Sequence, residues 1–184
     1  MPVVISLLRG VNVGGHHKIK MADLRALYES LGLQHPQTYV QSGNVVFATK
    51  ERDLSKLAKR IEGGIERRFA FRPDVILRTA SELRDVIAKN PFALRRGIEP
   101  SKLVVTFLAG ALDREIKGKL LQIEADPEDL RVGRRELYIY FPNGMGRSKL
   151  PVVLGKTLKK SGTSRNWNSV MNLLEMAEEL EGRQ

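Results

Sequence analysis

The chain has 184 residues, with 31 Lys or Arg against 21 Asp or Glu, a formal charge of +10. That length suits one domain or two small subdomains, with a core that needs no covalent staple. Cysteine is absent, which excludes disulfides, thiolate-ligated zinc, iron–sulfur clusters and thiol catalysis.

Val3–Leu8 is an apolar run closed by Arg9-Gly10. It reads as a buried strand, too short for a signal peptide or a membrane span. A cytoplasmic protein without a membrane partner is expected. A glycine-containing polar loop follows, and then Leu24, Leu27, Tyr28 and Leu31 mark a helix face ended by Gly32. Thr38–Gln41 and Val45–Ala48 flank Ser42-Gly43-Asn44 as a hairpin. Leu54, Leu57, Ala58, Ile61 and Ile65 mark a second helix, and Pro73 opens a strand over Asp74–Arg78. The order β-α-β-β-α-β is that of the ferredoxin-like split unit.

The order then starts again. Thr79-Ala-Ser-Glu82 has the form of a capping box for a connecting helix that ends near Asn90-Pro91. Leu103–Leu108 reads as a strand, and Ile116, Leu120 and Ile123 as a helix. Asp129–Gly133 and Glu136–Phe141 read as two strands, and Leu150, Val153, Leu154 and Leu158 as another helix. Gly162–Arg165 reads as a closing strand. A last helix carries Trp167, Val170, Met171 and Leu174 inward, with Thr163 or Ser164 as its cap. The fold class is α+β, a duplication of two ferredoxin-like subdomains with a C-terminal helix. The division expected is 1–98, including the connecting helix, and 99–184. Element order alone supports the duplication, since no residue-for-residue repeat is visible.

Between Arg131 and Arg165 stand nine basic residues, Lys159 and Lys160 among them, and one acidic residue, Glu136. A pI near 10 is common among nucleic-acid binders, and a solvated surface is the competing reading. In the first loop Gly10, Gly14 and Gly15 permit close backbone approach, while Arg9, Asn12, Lys18 and Lys20 supply donors. Such a loop before a helix can hold a phosphate or a carboxylate, or can simply turn the chain. Gln41 and Asn44 can present amides from the hairpin turn. Arg147 and Lys149 flank a helix start at which Ser148 is the expected cap and Pro151 is tolerated. Gly155-Lys156-Thr157 is not a P-loop, because position 150 is Leu. The segment Ser161–Asn168 opens the last helix. There Trp167 is expected to anchor the core, whereas Arg165 and Asn166 have no packing role to account for them.

These loops hold Arg, Lys, Asn, Gln, Ser and Thr without Asp or Glu. Donors without a base suit anion binding better than acid–base catalysis, and no metal cluster, cofactor motif or catalytic triad stands out. Tyr39, Phe47, Tyr138, Tyr140 and Phe141 lie on strands, where stacking on bases is conceivable for those not turned into the core.

Four motifs, Leu8–Gly15 with Lys18–Met21, Tyr39–Phe47, Gly146–Lys149 and Thr163–Asn168, resemble the bacterial domain-of-unknown-function family 1697. The resemblance implies a cytoplasmic bacterial protein with a duplicated α+β fold and no assigned activity. Its motif residues fall here on Arg9, Asn12, Gly14, Gly15, Lys18, Gln41, Gly43, Asn44, Arg147, Lys149, Arg165, Asn166 and Trp167. Val11 stands where Ile is expected, and Ser164 where Thr is expected.

In such a unit the first and third strands are expected to be central and parallel. The loops after them would then leave one edge, and Arg9–Lys20 and Asn143–Ser148 would face one cleft near Arg165-Asn166. Three readings follow. The first is a nucleic-acid or nucleotide binder that uses Arg9, Asn12, Gly14, Gly15, Lys18, Lys20, Gln41, Asn44, Arg147, Ser148, Lys149, Arg165 and Asn166. The second is an enzyme acting on a phosphorylated or carboxylated small molecule held in a deep, closed pocket. The third is a scaffold in which Arg9 and Arg165 are buried on backbone carbonyls.

Overall fold

The computed structural model describes residues 1–158 and 162–184; Lys159 and Lys160 of the basic run and Ser161 of the segment before the last helix lie outside the described residues. The first βαββαβ set is β1 (Val3–Leu8), α1 (Met21–Ser30), β2 (Gln34–Tyr39), β3 (Asn44–Ala48), α2 (Leu54–Phe69) and β4 (Val75–Thr79). After α3 (Ala80–Ala88) the second set is β5 (Leu103–Phe107), α4 (Arg114–Leu121), β6 (Asp129–Val132), β7 (Glu136–Tyr140), α5 (Leu150–Thr157) and β8 (Thr163–Asn166). The chain ends with α6 (Trp167–Gly182). Two four-stranded sheets result, ordered β2-β3-β1-β4 and β6-β7-β5-β8. The duplicated α+β fold expected from element order is the fold observed.

The chain divides into two compact units, Met1–Asp85 with Met171–Gln184, and Val86–Val170. The loop over Phe92–Pro100 lies inside the second unit, and most of α6 groups with the first.

One expectation fails. The first and third strands are central in each sheet, but they run antiparallel: Val4 faces Phe47 in the first unit and Val104 faces Ile139 in the second. The inserted strand of a split βαβ unit must oppose its neighbours. Within a unit, the loops after the first and third strands therefore leave opposite edges.

The first unit's core lies between one sheet face and α1 and α2, built from Val4, Leu8, Val45, Phe47, Leu57 and Ile61 with Tyr28. Tyr28 meets Phe47 edge-on at 5.3 Å, and its hydroxyl bonds Ser6 Oγ at 2.8 Å. Burial pushes the Tyr28 hydroxyl pKa up. The opposite face, with Ile5, Leu7, Val46 and Ile76, is buried too. In the second unit Val104, Leu137, Ile139 and Phe141 pack with Ile116, Leu120, Leu150 and Leu154.

Helix ends follow local chemistry. Asp53 and Asp113 accept the amides of Lys56 and Ile116 and so cap α2 and α4. The capping box at α3 is complete: Glu82 N donates to Thr79 Oγ1, and Thr79 N to Glu82 Oε2. In α6 the inward residues are Val170, Leu173, Ala177 and Leu180, while Met171 is exposed. Its cap is Asn166, whose Oδ1 accepts from Ser169 N; Thr163 and Ser164 lie in β8 instead. The strand claims them because their backbones pair with Phe107 and Thr106.

Two glycines of the second unit separate space from flexibility. A Cβ on Gly162 would sit 2.6 Å from Phe107 O and 2.8 Å from Thr106 Cγ2, whereas one on Gly155, inside α5, meets nothing within 4 Å. Gly162→Ala is expected to cost about 3 kcal/mol of unfolding free energy. Gly155→Ala should add about 0.5–1 kcal/mol, both measured by urea denaturation.

Candidate functional site

By strand register, the end of β1, the hairpin turn between β2 and β3 and the entry to β4 share one edge of the first sheet. Leu8 N donates to Gly43 O and Arg9 N to Asp74 O, which ties all three segments together. The loop leaving β1 is strongly bent. Gly10, Asn12, Gly14, Gly15 and His17 all have positive φ. Asn12 holds the bend: its Nδ2 donates to Ile19 O and Gln41 O, and its Oδ1 accepts from Ile19 N. Gly43 is required at the turn, since its φ is +76° and a Cβ there would lie 2.8 Å from Leu8 Cβ. Asn44, fully buried, donates from Nδ2 to Tyr39 O and Ser42 Oγ. The structure thus brings the first two motifs together, with Asn12 and Asn44 shaping the backbone and Gly14, Gly15, Lys18, Lys20 and the Gln41 side chain left exposed. Arg9 is 47% exposed and lies 3.6 Å from Asp74, a surface pair of little energetic weight.

The helix that this loop enters is unusual. Lys20 occupies its cap position, and no side chain caps it. Among the described residues, every other α-helix has a side chain on one of its first amides, from Asp53, Thr79, Asp113, Ser148 or Asn166. In α1 the amides of Met21, Ala22 and Asp23 have, among the described residues, neither an intrahelical partner nor a side-chain one. The amides of Gly14 and Gly15 are likewise open, and Lys18 and Lys20 have no carboxylate partner among the described residues. Asp23 is the acidic residue of that first turn.

The third motif lies in the second unit, at the edge where β7 and β8 end. Met145–Arg147 forms one 3-10 turn, and Arg147 and Lys149 are exposed. Ser148 Oγ accepts from Leu150 N, and Pro151 has no amide to offer. The start of α5 therefore has little left for an anion. Asn166 shares this edge by register and caps α6.

Arg165 is 8% exposed, and its Nη1 donates to Thr163 Oγ1 at 2.7 Å and Ser164 O at 2.9 Å. Burial lowers its pKa to about 10, so it stays charged at neutral pH. Arg78, missed in the sequence, is its counterpart in the first unit. It is 1% exposed, faces Ile5 as Arg165 faces Val105, and donates to Leu77 O, the carbonyl just before it. An Arg directly after the apolar run Val75–Leu77, within the same strand, was the available signal. The strand aromatics Phe47, Tyr138, Tyr140 and Phe141 are buried and offer no stacking face. An open groove of about 500 Å³ in the first unit is lined by Gly32, Gln34, Lys50, Glu51 and Arg60, at the sheet edge opposite the motif loop.

A family model described as a protein of unknown function (DUF1697) matches residues 1–138. The chain belongs to this family. The match spans the first two motifs and stops before the third. None of the curated proteins matches it. Among solved structures it is similar to the conserved bacterial protein SP0830 from Streptococcus pneumoniae, with a TM-score of 0.76 and 21% identity, over 96% of this chain and 98% of that one. At that identity the likeness speaks for a shared fold. No described helix is long and apolar enough to cross a membrane, and the described residues hold no group of three His, Asp or Glu placed to share a metal ion.

Asn12→Ala removes three hydrogen bonds and leaves a non-glycine residue at positive φ. It is expected to cost about 1–3 kcal/mol in urea unfolding and to speed amide exchange at Ile19.

Proposed function

We propose that this DUF1697 protein binds a phosphate-bearing polyanion, a nucleic acid or a nucleotide, at the β1–α1 loop of its first unit. The observation that carries the reading is the uncapped start of α1. A missing cap costs a helix about 1 kcal/mol, and an anion on the open amides restores that contribution. The bent loop adds the amides of Gly14 and Gly15, and Lys18 and Lys20 add charge without a competing ion pair among the described residues. Arg9 and the Gln41 side chain stand at the same edge. Amides held by folding need little ordering on binding, which favours affinity. Arg147 and Lys149 form an exposed basic edge on the second unit.

Arg165 and Asn166 contribute differently. Arg165 braces β8, and Asn166 starts α6. Arg165→Ala is expected to lower stability by about 1–3 kcal/mol in urea unfolding while leaving oligonucleotide affinity unchanged at temperatures where the variant stays folded.

The direct test is binding of a labelled single-stranded oligonucleotide and of a duplex across a salt series. Affinity should fall steeply with salt as counterions are released. The Lys18→Ala/Lys20→Ala double variant should bind more weakly, and its single-strand salt slope should be shallower by about 1.4, about 0.7 for each lost phosphate contact. Parent protein that binds neither oligonucleotide at low salt, and whose melting temperature no nucleoside triphosphate raises, overturns the proposal.

A further inference from the structure

His17 is held in an unusual posture. Its backbone has φ of +50°, its Nδ1 lies 3.3 Å from Gly10 O, and its ring stacks on Phe71 at 4.2 Å with only 5° between the planes. Phe71 is half-buried and packs against the first unit's core, so it is a fixed base. His17 is exposed, and Phe71 lies against one face of its ring. Valines add apolar surface at this sheet edge: Val13 is 63% exposed in the same loop, and Val40 is 53% exposed in the hairpin turn. Val40 has φ of +49°, a strained value for a β-branched residue. Burying these side chains would relieve nothing in the isolated fold. A flat apolar partner would use them.

We infer that the outer face of His17, backed by Phe71, is a stacking platform for an unpaired nucleobase, so that this edge takes single-stranded nucleic acid in preference to duplex. The inference rests on the phosphate-binding reading of the same loop. Stacking supplies what the phosphate contacts lack, a requirement for a base with a free face. A duplex keeps its bases stacked on one another and can offer the loop only its phosphates. The left-handed backbone at His17 is part of the device, because it turns the ring out of the loop and onto Phe71. Lys18 and Lys20, next along the chain, would lie along the sugar–phosphate run of the same strand.

The test compares two single strands of equal length, one base-bearing and one abasic, against the parent, His17→Asn and His17→Trp. Asparagine tolerates the left-handed backbone, so His17→Asn should fold, as a thermal melt will check. The parent should prefer the base-bearing strand. His17→Asn should lose about 5- to 150-fold in affinity for that strand and nothing for the abasic one. His17→Trp should keep the preference. Equal affinity of the parent for both strands, or a His17→Asn variant as tight as the parent on the base-bearing strand, overturns the platform. If binding still falls with salt in that case, the phosphate reading stands. Absence of salt-dependent binding to either strand overturns both.

Discussion

The amide of Leu8 donates to the carbonyl of Gly43, and the loop edge of the first unit is built outward from that bond. It closes only because position 43 has no Cβ, which would lie 2.8 Å from Leu8 Cβ. Once the turn is drawn in, Gln41 O is within reach of Asn12, and Asn12 can reverse the chain through Ile19. Arg9 N, bonded to Asp74 O, brings the entry of β4 to the same place. Phe71 precedes that entry and so comes under His17. Three segments distant in sequence become one surface, and its ordering entropy is met during folding.

The second unit repeats the plan and changes the edge. Leu108 N donates to Arg135 O as Leu8 N does to Gly43 O. Arg165 and Arg78 occupy one register position, each bonded to the carbonyl before it. Ser6 and Thr106 are also equivalent, each one residue on along the strand. Ser6 bonds across to α1 through Tyr28, while Thr106 bonds Ser164 on the neighbouring strand. Between β5 and α4, however, there is no counterpart to the long loop over 9–20. Duplicated backbones constrain which positions must be buried or paired. They leave loop length free, and loop length is where the units part.

The fold was legible because its signals are local. Apolar periodicity, a capping box and turn residues marked every element in order, including the short β8. Strand direction was misjudged, although the rule that an inserted strand opposes its neighbours follows from the βαββαβ order itself. The inward face of α6 was misread because Met171 and Leu174 fit a helical stripe nearly as well as Leu173 and Ala177; tertiary packing chose between them. At the site, the sequence marked which loops are special without showing what each residue does. Asn12 and Asn44 are polar residues in glycine-containing segments, so they look like ligand donors. Their amides are instead spent on nearby backbone and, for Asn44, on the Ser42 hydroxyl, a fact visible only once Ile19, Gln41, Tyr39 and Ser42 are placed beside them. The missing cap of α1 went unread, although a Lys stands at position 20, where Ser, Thr, Asp or Asn would serve.

Net charge is divided unevenly between the two units. The second unit has sixteen basic and eight acidic residues, a net +8, against fifteen and thirteen, a net +2, in the first. The stretch Leu137–Leu174 has no carboxylate at all. Yet several of those cations are already engaged: Arg95 and Arg131 share Asp129, Lys102 faces Glu99, and Lys119 faces Glu115. The start of α5, flanked by Arg147 and Lys149, has one amide taken by Ser148 and another removed by Pro151. A diffuse positive field raises the rate at which polyanions arrive, and salt screens it. Selection needs donors that are fixed, open and unpaired. Among the described residues the open amides at the start of α1 stand in the unit with the smaller charge, so net charge and open backbone donors are distributed separately in this chain.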